Sequence, residues 1–273
     1  MCANPCAVCS EEDPAKFRIY FDGYIKLYKC LECGFVAQYP GPGSNTIITS
    51  NEDLDFDRDN QENMYPERLN GIKDIARRIT AYKQSGTLLD VGCGDGFFLK
   101  QCVKMGFDCY GVEDSKALSS YAATRSEAHI VQGIYTKDLF SPGKFDIITF
   151  IQVLEHIPSL LQVLDAVKYH LKPEGIVVIE VPSIKAPHFI AYEATGIKWF
   201  VRPHNGVAVW HCNYFSPSSL NCLMNRAHIT QLSLVTGRWQ YKYTGLLSKL
   251  GKLCDPLFNS FGIGGILYIG KSV

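Results

Sequence analysis

The sequence predicts an α/β protein: a mostly parallel sheet with helices on both faces, preceded by a small cysteine-bearing unit. Three observations predict it. Five strand-like runs between residues 87 and 181 alternate with stretches of helical period. A glycine-rich turn joins the first of these runs to the helix after it. Two Cys-x-x-Cys pairs, Cys6/Cys9 and Cys30/Cys33, stand in front of them all. Strands that alternate with helices are covered on both sides, and the sheet that results is parallel.

A length of 273 residues suits one large domain with a small appendage. A hydrophobic content of 47% can fill a sizeable core. The 27 basic residues balance the 27 acidic ones, which argues against a protein that tracks phosphates, so nucleic acid is not the expected partner. No apolar run approaches the about 20 residues that span a bilayer. The N-terminus lacks the basic and apolar regions of a secretory signal. Eleven cysteines, an odd number, then point to a reducing cytoplasm rather than to a disulfide framework. Cys102, Cys109, Cys222 and Cys254 are expected as small buried hydrophobes.

Residues 1–40 are expected as a separate unit. Runs at 17–21 and 24–28 flank Asp22-Gly23 and predict a hairpin that carries the two cysteine pairs. Four thiolates so arranged fit one tetrahedral ion, and about forty residues need such a staple. Structural Zn2+ on Cys6, Cys9, Cys30 and Cys33 is the first expectation; iron or a metal-free dithiol pair are the alternatives. Residues 41–64, with Asp53, Asp55, Asp57 and Asp59, predict an acidic linker. From Pro66, the spacing of Leu69, Ile72, Ile75, Ala76 and Ile79 predicts a helix that Gly86 stops. Strands follow at 87–91, 107–112, 129–132, 145–151 and 175–181, with helices at 97–105, 115–126 and 159–171. Ser216 is the expected N-cap of a helix over 217–226, and strands are expected at 228–235 and 264–270.

The chemistry is expected in the turn Leu88-Leu-Asp-Val-Gly-Cys-Gly-Asp-Gly-Phe97. Glycines at a strand-to-helix turn let a ligand approach the backbone at the carboxyl end of the sheet. A dinucleotide fingerprint asks for a third glycine where this chain has Phe97. An acid two residues before the first glycine, Asp90, suits a ligand ammonium instead. Glu113 ends the second strand, where a carboxylate can accept both hydroxyls of a ribose.

With Gly111-Val-Glu113, Phe145-Asp-Ile-Ile148, Val153-Leu-Glu-His156 and Leu171-Lys-Pro-Glu-Gly175, this turn resembles the class I S-adenosylmethionine-dependent methyltransferases over about residues 65–236. With the cysteine unit in front and Tyr214-Phe-Ser-Pro-Ser-Ser-Leu220 behind, the layout is similar to bacterial methyltransferases that modify surface glycans or deoxysugars. The resemblance implies a seven-stranded Rossmann-like methyltransferase sheet in the order 3-2-1-4-5-7-6, its last strand antiparallel, within a domain over 65–273. It implies S-adenosyl-L-methionine as cofactor. Gly92, Cys93 and Gly94 would pass under its methionine and ribose, Asp90 would face the ammonium, Glu113 would hold the ribose, and Asp114 would lie beside the adenine. Gln152 would turn toward the sulfonium. The family often has an acid where this chain has Ile134, so the adenine contact there departs from the pattern.

On the acceptor side, residues 182–216 leave the sheet and predict a lid or acceptor-binding insert rich in His and aromatic residues, among them His188, Tyr192, Trp199, Arg202, His204, Trp210 and His211. His211, just before Asn213-Tyr-Phe-Ser216, and His156 are the candidate general bases, with Glu155 beside them. In the other reading His211 anchors the lid and Glu155-His156 fix their loop. Residues 244–258 carry Leu246, Leu247, Leu250, Leu253 and Leu257 beside Lys249 and Lys252, a stripe that packs on its own domain or touches a membrane surface. The expected activity is O-methylation of a sugar or surface-glycan precursor. A quinone- or lipid-linked acceptor is the alternative, and a non-catalytic cofactor-binding protein is the reading from another class.

Overall fold

The computed structural model describes residues 6–23, 25–39, 66–198, 211–238 and 265–273. The linker, most of the second half of the insert and the 244–258 stripe lie outside these residues, as do Trp199, Arg202, His204, Trp210 and Cys254.

In chain order the elements are β1 (Phe17–Asp22), β2 (Lys26–Cys30), β3 (Val36–Tyr39), α1 (Pro66–Thr80), β4 (Thr87–Val91), α2 (Phe97–Lys104), β5 (Asp108–Glu113), α3 (Lys116–Ser126), β6 (His129–Gln132), β7 (Phe145–Ile151), α4 (Leu160–His170), β8 (Leu171–Val181), α5 (Pro187–Thr195), β9 (Asn213–Tyr214), α6 (Pro217–Arg226), β10 (Ile229–Arg238) and β11 (Gly265–Ser272). The large sheet runs β6-β5-β4-β7-β8-β11-β10. β11 is antiparallel to both neighbours, and the pairs among β4 to β8 are parallel. This is the expected α/β seven-stranded order with its antiparallel last strand.

The near-continuous apolar runs are explained by burial on both faces. Leu88, Ile147, Val178 and Leu267 point into one core with Ile72, Ile75 and Ile79 of α1. Their chain neighbours Leu89, Ile148, Val177 and Ile266 point into the other, against Leu160 and Leu164 of α4 and Leu220 and Leu223 of α6. Ser216 caps α6 as expected, in a reciprocal capping box with Ser219.

The second sheet has the order β1-β2-β3-β9. The hairpin is present, but β2 begins at Lys26 rather than at Tyr24. β3 pairs with β2 and then with β9, in the register Val36↔Tyr214 and Ala37↔Asn213. Thus residues expected to stand apart share a sheet with the returning end of the insert. Phe35 packs on Phe215 with ring centroids 5.4 Å apart, and Cys6, Val8 and Cys30 join the same core as the large sheet. Arg226 at the end of α6 donates to the carbonyl of Val8 at 3.1 Å. Among the described residues no helix is long and apolar enough to cross a membrane.

Candidate active site

The turn after β4 is held by its neighbours. The amides of Gly92 and Cys93 donate to the carbonyl of Val112 at 2.8 and 3.1 Å, which ties the turn to β5. Gly92 has φ +68°, and a Cβ there would come 2.7 Å from a Val153 methyl, so only glycine lets the turn lie against the loop after β7. Gly94 has φ +53°, and a Cβ there would meet open space, the side from which a ligand can approach.

Asp90 is buried at the end of β4, and its Oδ1 accepts a 2.6 Å hydrogen bond from the Thr149 hydroxyl of β7. Burial drives its carboxyl up to about 7, with a smaller push from Glu113 and Asp95, while the Thr149 bond pulls the other way. Glu113 presents both oxygens to the backbone: Oε2 accepts from the Gly94 amide at 2.9 Å and Oε1 from the Ser115 amide at 3.0 Å. A carboxylate has about four acceptor positions, so two remain for a diol. Gln132 Nε2 donates to the Asp114 carbonyl at 3.4 Å. Ile134 is half exposed and offers no acceptor of its own.

Gln152 follows β7 with φ +58°, a left-handed conformation that a residue with a side chain rarely adopts. Its amide donates to the Glu180 carbonyl of β8 at 2.8 Å, which holds it there. The one-turn helix Leu154–His156 follows. Glu155 is 1% exposed, burial raises its carboxyl to about 8, and among the described residues its Oε2 has no hydrogen-bond partner. His156 Nε2 lies 3.9 Å from Glu155 Oε1. The His211 ring stands edge-on to His156 with centroids 4.7 Å apart. Burial first, and then the nearby His156, hold His211 down at about 3, so it is neutral. The turn and the insert are stitched together: Cys212 N donates to the Glu155 carbonyl at 2.8 Å, and Asn213 Nδ2 donates to the carbonyls of Leu154 and Ile157 at 2.9 and 2.6 Å. His211, His156 and Glu155, selected from two distant stretches of sequence, are therefore together.

The family model for a methyltransferase domain matches residues 61–233, more than half of the chain. The chain belongs to the methyltransferase-domain family. It is 28% identical over 156 residues to the ubiquinone biosynthesis O-methyltransferase of Xanthomonas campestris pv. campestris, which covers 55% of this chain and 64% of that protein. It is 29% identical over 117 residues to the protein of the same name from Acinetobacter baylyi, covering 40% and 48%. It thus spans less than two thirds of these relatives. Among solved structures it is similar to an S-adenosylmethionine-dependent methyltransferase of Thermotoga maritima, with a TM-score of 0.54 at 15% identity over 79% of this chain and 95% of that one. It is also similar to a geranyl diphosphate methyltransferase in complex with S-adenosylmethionine, with a TM-score of 0.56 at 15% identity over 75% and 85%. At such identities these structures establish the fold.

The four cysteines of the N-terminal sheet also converge. Cys6 and Cys33 Sγ atoms are 3.7 Å apart, Cys9 and Cys30 3.6 Å, and all four lie within 4.8 Å of one another. Thiolates about 2.3 Å from one tetrahedral ion stand about 3.8 Å apart, so the donor set fits zinc. Sequence reasoning missed Thr149, Asn213 and Glu180. Thr149 carried a usable signal, as the one hydroxyl in the apolar interior of β7. Asn213 and Glu180 carried none, because their partners lie in other segments.

Proposed function

We propose that this methyltransferase transfers a methyl group from S-adenosylmethionine to a hydroxyl on the ring of a small molecule of the quinone-precursor kind. The observation that carries the reading is the Glu113 carboxylate, anchored on the amides of Gly94 and Ser115 beside the open side of the turn. Asp90, when ionised, faces the cofactor's ammonium, and Gly92, Cys93 and Gly94 give its methionine and ribose a floor without side chains in the way. Asp114 and Ile134 flank the adenine, the latter by apolar contact alone. The left-handed Gln152 turns the chain toward the sulfonium. The cofactor supplies a methyl carbon already activated by that sulfonium, so the chain's own part is alignment of the hydroxyl at about 3–3.5 Å.

The relatives named for ubiquinone biosynthesis support a quinone-type ring more than the sugar or surface glycan that the sequence layout predicts. Glu155, His156 and His211 form the polar wall that receives the hydroxyl and handles its proton. A histidine held near 3 is a weak base, so His211 by itself serves that task poorly. Zn2+ on the four cysteines fixes the N-terminal sheet in this reading.

Calorimetry with S-adenosylhomocysteine, and transfer of a labelled methyl group to hydroxylated quinone-type rings and to sugar nucleotides, test the proposal. Binding with transfer to rings is the expected result. Transfer to sugars alone would overturn the acceptor, binding without transfer to any acceptor would favour a cofactor-binding protein, and absence of binding would overturn the whole reading.

A further inference from the structure

Asp95 lies in the middle of the glycine turn, and its two oxygens have different partners. Oδ1 accepts from the Phe97 amide at 3.0 Å, at the start of α2. Oδ2 accepts from Arg125 Nη1 of α3 at 2.6 Å. The pair is nearly out of water, with the Arg125 side chain 17% exposed and that of Asp95 11%. The guanidinium carbon also stands 5.2 Å from the centre of the Phe97 ring and 5.6 Å from that of Tyr121, so aromatic faces help to hold the cation. Gly96 leaves no room beside them: a Cβ there would come 3.0 Å from Ala122 and 3.1 Å from Ser126, both on α3.

These links close a ring. The Ser115 amide, just ahead of α3, donates to Glu113 Oε1, and Glu113 Oε2 accepts from the Gly94 amide. Arg125, in the last turn of α3, returns to Asp95 next to Gly94. Both ends of α3 are thus tied to the turn. The ring also carries charge. Asp90 is faced by Glu113 of β5, by Asp95 and the Cys93 thiol of its own turn, by the Cys102 thiol of α2 and by the Thr149 hydroxyl of β7. Glu113 and Asp95 both oppose its ionisation. A guanidinium on Asp95 cancels most of the opposition from that side, whereas a buried carboxylate stripped of its partner presents its charge uncompensated.

We propose that Arg125 is a positioning residue for the cofactor: through Asp95 it holds Gly94 and Glu113 in place and leaves Asp90 free to ionise against the ligand ammonium. The proposal rests on the cofactor reading of the turn given above and adds to it a residue from the far end of α3.

The test is calorimetry of S-adenosylhomocysteine on the full chain from pH 6 to 8.5, for the parent, Arg125→Lys, Arg125→Met, and Arg125→Met combined with Asp95→Asn. Arg125→Met should weaken binding at every pH, and about threefold more at pH 6 than at pH 8.5, because an uncompensated like charge raises the Asp90 midpoint by about 0.5 or more. Adding Asp95→Asn should remove the extra loss at pH 6, and Arg125→Lys should keep the pH profile of the parent. An equal fall at every pH in Arg125→Met, or an extra loss that persists when Asp95 is also replaced, would reduce the pair to a structural tie and overturn the proposal. Carbon NMR of the Asp90 carboxyl in the ligand-free chain reads the same midpoint without any ligand. A parent that does not bind S-adenosylhomocysteine would therefore overturn the cofactor reading, whereas an Asp90 midpoint unchanged in Arg125→Met would overturn the role of Arg125. Should Arg125→Met fail to fold, Arg125→Gln, which keeps a donor for Asp95, takes its place with the same expected direction.

Discussion

Thr149 Oγ1 lies 2.6 Å from Asp90 Oδ1, so the acid that the sequence singled out is oriented from the neighbouring strand rather than from its own turn. The hydroxyl donates to the carboxylate and supports its charge against burial. In Thr149→Val that support is gone, and the Asp90 carboxyl should titrate still higher. S-adenosylhomocysteine should bind the variant less tightly at pH 7 and recover as pH is raised.

The same carboxyl sets a pH dependence in the parent protein. An ionised Asp90 attracts the ligand ammonium, and its folded value is about 7 against about 3.9 for a free aspartate. Affinity should hold above pH 7 and fall as pH drops to 5. Stability runs the other way. The folded state holds a proton that the unfolded state has released between about pH 4 and 7, so this contribution is complete at the acid end and lost as pH rises through 7. Asp90→Asn should flatten both profiles and weaken binding at pH 8 at least tenfold. Calorimetry and urea melts across pH 5–8 check the two signs, and parallel parent and variant profiles would refute them.

Gly92 and Gly94 both have positive φ but different surroundings, so the same substitution should act differently at each. Gly92→Ala forces a methyl against Val153 and should lower stability by about 2–4 kcal/mol. Gly94→Ala meets open space and should cost only about 1–2 kcal/mol from its left-handed backbone. Its methyl points into the space that a ligand needs, so its loss should fall mainly on S-adenosylhomocysteine affinity. Thermal melts beside calorimetry separate the two.

Elemental analysis of the protein purified without added metal should give about one zinc per chain, and Cys33→Ser should lose it. β3 pairs with β9 next to His211 and not with the strand that carries Asp90. Metal loss should therefore lower methyl-transfer turnover while S-adenosylhomocysteine affinity stays within a few-fold of the parent. Equal loss of both would mean that the cysteine unit supports the whole domain.

His211→Ala should lower turnover at least tenfold with little change in cofactor affinity, because the ring stands in the polar wall that receives the hydroxyl. Added imidazole should restore part of it. A change of less than twofold would leave His211 as an anchor of the insert only.

The large sheet was legible because each strand writes its own burial. Neighbours such as Leu88 and Leu89, or Ile147 and Ile148, go to opposite cores, so the chain has no polar face to spare. The glycine turn and the cysteine pairs were legible because their spacing is local. β9 was not: two residues, Asn213 and Tyr214, form a strand only because Val36 and Ala37 meet them. The orphaned Glu155 oxygen was equally hidden. A Glu-His pair reads as an ordinary polar turn until the fold removes its water.

That late partner has a consequence for biosynthesis. While the protein is being made, residues 36–39 leave the ribosome long before residues 213–214 exist, and at about 5–20 residues per second the gap is on the order of 10–35 s. During it the outer edge of β3 has no mate, an open template for another nascent chain. Early capture of an ion by Cys6, Cys9, Cys30 and Cys33 would shape that hairpin while it waits, so a cell short of the ion would lose the protein first to aggregation and only afterwards to inactivity.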